Sequence, residues 1–232
     1  MFKKVVLFCF LAVFSVLSYG QSNFSQGQEL FMGNNPAQAV VFLERALGED
    51  PANALVYLYL GVVYEQLGRM DEAIAVYRRI LPTAGNLSAN VANNLGNVYF
   101  RRGDNTEAES FYTQAVNFDG NMSVAFLGRA NTRIQAGNLL NAITDYERYL
   151  MLEPLSSQRG NIEQLINMIR SEIAAEEMRR VIAVEEERRL AEERQKLLDA
   201  VAASLQSAAE AGQTISVGSE NIELYDWEIE PE

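Results

Sequence analysis

Residues 60–77 read LGVVYEQLGRMDEAIAVY and residues 95–112 read LGNVYFRRGDNTEAESFY, the same pattern of small, aromatic and apolar positions 35 residues further on. Residues 129–146, RANTRIQAGNLLNAITDY, carry it again in looser form. Gly61 and Gly96 occupy one column, Gly68, Gly103 and Gly137 a second, Ala73, Ala108 and Ala142 a third, and Tyr77, Tyr112 and Tyr146 a fourth. A period in this range marks stacked helical hairpins. The small residues sit where two helices cross closely, and each tyrosine falls one turn after its alanine on the same face. No single hairpin can bury such a face, so the pattern predicts an all-α solenoid whose product is an extended contact surface.

Working outward, the first full unit predicts a helix over Ala54–Leu67, a turn at Gly68-Arg69-Met70-Asp71 with Asp71 as N-cap, and a second helix to Leu81 before Pro82. The next unit predicts helices over Asn90–Arg102 and Thr106–Phe118. The last predicts Ser123–Ala136 and a partner helix ending at Leu152 before Pro154. A weaker copy at the front places Gly27, Leu30, Ala39, Leu43, Ala46 and Pro51 on the same grid around the turn Gly33-Asn34-Asn35-Pro36. The units are thus 21–53, 54–88, 89–122 and 123–156.

Leu60-Gly61, Tyr64, Gly68, Ala73 and Tyr77, then Leu95-Gly96, Tyr99, Gly103, Ala108, Tyr112 and Ala115, resemble the tetratricopeptide repeat (TPR) family over roughly residues 21–156. The resemblance implies a right-handed α-solenoid of antiparallel helix pairs, binding peptides or proteins on its concave face, with no catalytic residue and no cofactor. Gly85 and Gly120 stand where the family carries a proline between repeats.

Beyond Ser157 the pattern becomes one long charged helix over 157–211. It has apolar stripes at Ile162, Leu165, Ile166, Ile169 and Ile173 and at Leu190, Leu197, Val201 and Leu205. Its first turns are expected to cap the solenoid and the rest to project. Glu185–Arg189 and Glu192–Lys196 are favourable i,i+4 pairs. Sustained heptads are missing, so pairing of two copies through this helix stays an open alternative. Gly212–Gly218 is expected to break the helix ahead of an acidic tail, 212–232, that carries Trp227.

The net charge of −12 opposes binding to nucleic acid, which needs a basic stripe. Lys3-Lys4, the apolar run Val5–Leu17 and Ser18-Tyr19-Gly20 read as a signal peptide over 1–20 cut after Gly20. That run is short of the ~20 residues that span a bilayer. The expected location is the periplasm without stable membrane insertion after cleavage, the alternative being an uncleaved N-terminal anchor. The chain has no histidine, and its only cysteine, Cys9, leaves with the signal. The mature chain therefore lacks thiol and imidazole chemistry, and neither an enzyme nor a metal site is expected.

The concave face is built from the first helix of each unit. Asn90, Asn93 and Asn97 form an i, i+3, i+7 row that Asn131 continues, and Leu55, Leu58 and Val62 form an apolar wall beside it. A primary amide both donates and accepts, so such a row suits an extended peptide backbone. Exposed amides of this kind would add little to folding. The lysines of a carboxylate clamp are missing. Arg129 and Arg133 stand where earlier units carry Leu60 and Tyr64 or Leu95 and Tyr99, and Asp145 stands where they carry Val76 or Phe111. An anion site is one reading of the arginines, and an Arg129–Asp145 charge pair replacing an apolar pair is the better one.

These features predict a non-enzymatic exported scaffold for a protein or peptide partner. A structural subunit of a cell-envelope assembly or transport complex, contacting through the long helix and tail, is the alternative.

Overall fold

The computed structural model describes residues 22–219, with side chains described through residue 211. Among these are nine α-helices and no strand. They are α1 (Asn23–Met32), α2 (Pro36–Glu49), α3 (Ala54–Gln66), α4 (Met70–Ile80), α5 (Ser88–Arg102), α6 (Asn105–Phe118), α7 (Ser123–Gln135), α8 (Leu139–Leu152) and α9 (Arg159–Ser219). The signal-peptide residues and the tail beyond 219 lie outside the described residues.

Each odd-numbered helix from α1 to α7 packs along the even-numbered one that follows, and each pair packs on the next. The reversal within three of the hairpins depends on a left-handed residue, Gly68, Gly103 or Gly137, at φ +72°, +81° and +75°. Glycine adopts that conformation without steric cost. In the irregular first turn Asn34 takes the same role at φ +56°, as asparagine can. Starts are capped in the expected chemistry at Ser22, whose Oγ accepts from the Ser25 amide at 3.1 Å, and at Asn53, whose Oδ1 accepts from Leu55 and Val56. The expected N-cap Asp71 is two residues too late. Arg69 holds the cap position, and Asp71 with Glu72 sits inside the first turn of α4, where carboxylates complement the helix dipole.

The core runs along the stack. Tyr77 is fully buried and Tyr112 nearly so, each ring filling the space left by a missing side chain: Tyr77 lies against Gly61, and Tyr112 against both Gly96 and Gly128. A Cβ on Gly96 would stand 2.7 Å from the Tyr112 ring. Between the second and third hairpins the chain makes two short 3-10 turns, 81–83 and 85–87, with Gly85 at φ +58°.

The chain divides into two compact units after Ile169. In the first, Ile162, Ile166 and Ile169 of α9 are buried, while in the second the side chains from 174 to 211 are exposed. The helix does not stop at Gly212 but continues to Ser219. A glycine costs about 1 kcal/mol in a helix interior, each added residue extends the hydrogen-bond ladder, and residues 212–219 contain no proline to interrupt it. No helix among the described residues is long and apolar enough to cross a membrane.

Candidate partner-binding face

The first helices of the hairpins touch their neighbours in sequence, α1 with α3, α3 with α5 and α5 with α7, so their inner sides form one continuous row. On α3 the row offers Leu55, exposed, with Leu58 and Val62 half-buried. Beside them Tyr59 makes T-shaped contacts with Phe24 and Phe31, with ring centroids 5.6 and 5.5 Å away, and its hydroxyl accepts from Gln28 at 2.8 Å. That end of the row is aromatic and apolar.

On α5 and α7 the lining becomes polar. Asn90 is exposed and Asn97 and Asn131 are half-buried, whereas Asn93 is only 9% exposed. The expectation of exposed, structurally idle amides therefore holds for Asn90 alone. Tyr112 donates its hydroxyl to Asn97 Oδ1 at 2.8 Å, and Tyr146 donates to Asn131 Oδ1 at 2.7 Å. Both amides are tied to the second helix of their own hairpin, α6 for Asn97 and α8 for Asn131. Asn93 donates weakly to Asn94 Oδ1 at 3.5 Å, and its own Oδ1 is buried without a hydrogen-bond partner. Asn94 donates to Tyr77 at 3.2 Å, Tyr77 donates to Glu65 Oε1 at 2.7 Å, and the other carboxylate oxygen of Glu65 pairs with Arg101. A polar chain thus crosses from α5 through α4 to α3.

Burial sets the protonation of these tyrosines. It pushes Tyr112 up to about 12 against the opposing pull of the Arg101 charge, and it raises Tyr77 and Tyr146 as well. All three hydroxyls stay protonated, and so stay donors, at any physiological pH. Sequence reading missed Asn94, Glu65, Arg101 and the role of the tyrosines. The signal was present: Asn97 precedes Tyr112, and Asn131 precedes Tyr146, by the same 15 positions.

The arginines of the last hairpin form a different site. Arg129 makes a two-pronged fork on Asp145, Nε to Oδ2 and Nη2 to Oδ1, both at 2.8 Å, and its Nη1 donates to Thr113 at 3.1 Å. Arg133 adds Nη1 to Asp145 Oδ2 and Nε to Glu109 Oε1, each at 2.7 Å. Two guanidinium groups meet two carboxylates, so the charges cancel and no anion is called for. The Asp145 side chain is 3% exposed and that of Arg129 12%, which makes this a buried network.

Residues 50–119 match the family model described as tetratricopeptide repeat. Solved structures of the same form include MamA, 20% identical, covering 64% of this chain and 84% of that one with a TM-score of 0.57. PilF of Pseudomonas aeruginosa is 21% identical over 66% of this chain and 68% of its own, also at 0.57. A tetratricopeptide repeat protein from Parabacteroides merdae is 18% identical over 65% and 59%, again at 0.57. At these identities the likeness is one of fold. Comparison with curated proteins returned no match.

Proposed function

We propose, from the premise that residues 50–119 belong to the tetratricopeptide repeat family, that this protein is a non-enzymatic scaffold holding a protein or peptide partner on the inner face of its solenoid. One observation carries the reading. The row of first helices presents an apolar stretch at Leu55, Leu58 and Val62 followed by amides at Asn90, Asn93, Asn97 and Asn131, the lining that an extended peptide with apolar side chains and a polar backbone would match. The run of residues 5–20 supports export to the periplasm.

The test is a pull-down from the native envelope with the mature chain as bait, repeated with Leu58→Glu and Val62→Glu together. Loss of the captured partner from a folded double variant supports the inner face. Capture at the wild-type level overturns it. Export is checked by the intact mass of secreted material, which should begin at Gln21.

A second reading, an assembly subunit contacting through the long helix, is favoured by the exposed Leu190, Leu197, Val201 and Leu205. Under it, Leu197→Glu with Val201→Glu would abolish capture and the inner-face changes would not.

A further inference from the structure

We infer that two copies of this chain pair antiparallel through α9, crossing at Leu190, with Glu187 of each copy set against Arg194 of the other. The pairing goes beyond the inner-face reading and stands or falls without it.

Heptads are not sustained along the whole of α9, but from Ala183 to Val201 one frame holds. Ala183, Leu190 and Leu197 fall at d, and Glu187, Arg194 and Val201 at a. Val184 and Leu198 widen the face at e, and Val184, Leu190, Leu197, Leu198 and Val201 are all exposed. Glu187, Leu190, Ala191 and Arg194 stand at i, i+3, i+4 and i+7, the corners of the hole that receives a facing side chain in a coiled coil. With Gln195 and Leu198 they line a shallow groove on the helix.

The two charges in the a column decide what fills that groove. Neighbouring arginines are paired within the helix, Arg188 with Glu185 at 2.6 Å and Arg189 with Glu193 at 3.2 Å. Glu187 and Arg194 share the apolar face and have no hydrogen bond or ion pair among the described residues. In a parallel pair in register each would meet its own copy, glutamate on glutamate and arginine on arginine, and like charges set together are costly. An antiparallel pair crossing at Leu190 sets 187 against 194 twice, so one twofold axis matches all four charges. The face carries its own complement, which is why the occupant is a second copy.

The same axis lays Ala183 against Leu197 and Val184 against Leu198, a small side chain facing a larger one in each layer. It also brings Glu186 near Glu193 along one edge. Both of those carboxylates are already neutralised by Arg189 of their own helix, at 3.9 and 3.2 Å. Polar residues at a fix orientation at a cost in stability, and that is the part played by Glu187 and Arg194.

Sedimentation equilibrium on the mature chain over a range of concentrations tests the pairing, and the wild type should dimerise. Glu187→Arg and Arg194→Glu each place like charges together at two points and should each weaken the dimer about tenfold or more, while both changes in one chain should restore it to within about threefold of the wild type. Helix content by circular dichroism should be the same in all three. Residues 21–232 contain no cysteine, so orientation can be read directly. Ala183→Cys copies mixed with mass-tagged Leu197→Cys copies should oxidise to the mixed disulfide.

A wild type that stays monomeric at every concentration, or an assembly larger than two, would overturn the pairing whatever the inner-face pull-down shows. Like-with-like disulfides would overturn the antiparallel orientation. A dimer indifferent to both charge reversals would overturn the Glu187–Arg194 contacts. Dissociation by Leu58→Glu with Val62→Glu, but not by Leu190→Glu, would move the interface to the solenoid and overturn the role of α9.

Discussion

The α5–α6 and α7–α8 hairpins share a backbone plan and hold their two helices together by opposite chemistry. In α5–α6 the rings of Tyr99 and Phe111 stack 5.4 Å apart at 6°, with Arg78 against both, 5.5 and 5.6 Å from their centroids. In α7–α8 the same columns hold Arg133 and Asp145, joined through Arg129 into a buried charge network. An apolar stack is stabilised by the area it removes from water and tolerates imperfect neighbours. A buried ion network must recover a desolvation penalty of several kcal/mol per ion, and does so only while every member is present. The repeat geometry thus accepts either solution, but the second is brittle.

Breaking the brittle hairpin gives the largest expected effect. Asp145→Ala strands Arg129, leaves Arg133 with Glu109 alone, and should cost roughly 3–5 kcal/mol, read by urea denaturation. Rebuilding the hairpin on the earlier pattern with Arg129→Leu, Arg133→Tyr and Asp145→Val should recover most of that loss. If the triple variant is no more stable than Asp145→Ala, charge exchange is not the basis of the difference. Thermodynamic coupling between Arg129 and Asp145 should be clear in a double-mutant cycle, and its absence would remove the fork from the account.

A second contrast concerns the column of small residues. The unit built on α3 and α4 has Gly61 beneath a fully buried Tyr77, whereas the last unit has the buried Ala130 in the equivalent place. Gly61→Ala should therefore cost about 1–3 kcal/mol through overpacking, a thermal melt being enough to see it. Ala130→Gly opens space and should destabilise by less, about 1 kcal/mol.

Alkaline pH sharpens the comparison further. Tyr112 is raised from its ordinary 10.0 to about 12, so above pH 10 the unfolded chain loses its proton first and the folded state binds more protons. Its contribution is fully present below pH 10 and falls by about 1.4 kcal/mol per pH unit until pH passes about 12. Tyr112→Phe should flatten the stability profile over that window; an unchanged slope would mean that the burial of this hydroxyl is not what the alkaline limb reports. The smallest effect is Arg78→Ala, about 0.5–1 kcal/mol for the lost contact with the stacked rings, checked by the shift in urea midpoint.

Periodicity alone was enough for the helices, because each unit repeats the same small and large residues at a spacing that only a hairpin explains. The left-handed turns at Gly68, Gly103 and Gly137 were legible for the same reason. The cap of α4 was not, since Asp71 is a good cap by composition yet the turn geometry placed Arg69 there. Nor was the continuation of α9 past Gly212, where local cost lost to propagation.

The inner face divides along the same line. Spacing of 3.6 residues is the ground on which Leu55, Leu58, Val62, Asn90, Asn93, Asn97 and Asn131 are assigned to it from sequence. What each amide offers a partner could not be read there. Asn97 and Asn131 are turned by hydroxyls that arrive from another helix 15 residues later, and the buried Asn93 keeps an acceptor without a partner. An amide looks the same in sequence whichever way it is turned, and only the groups packed behind it choose between donor and acceptor.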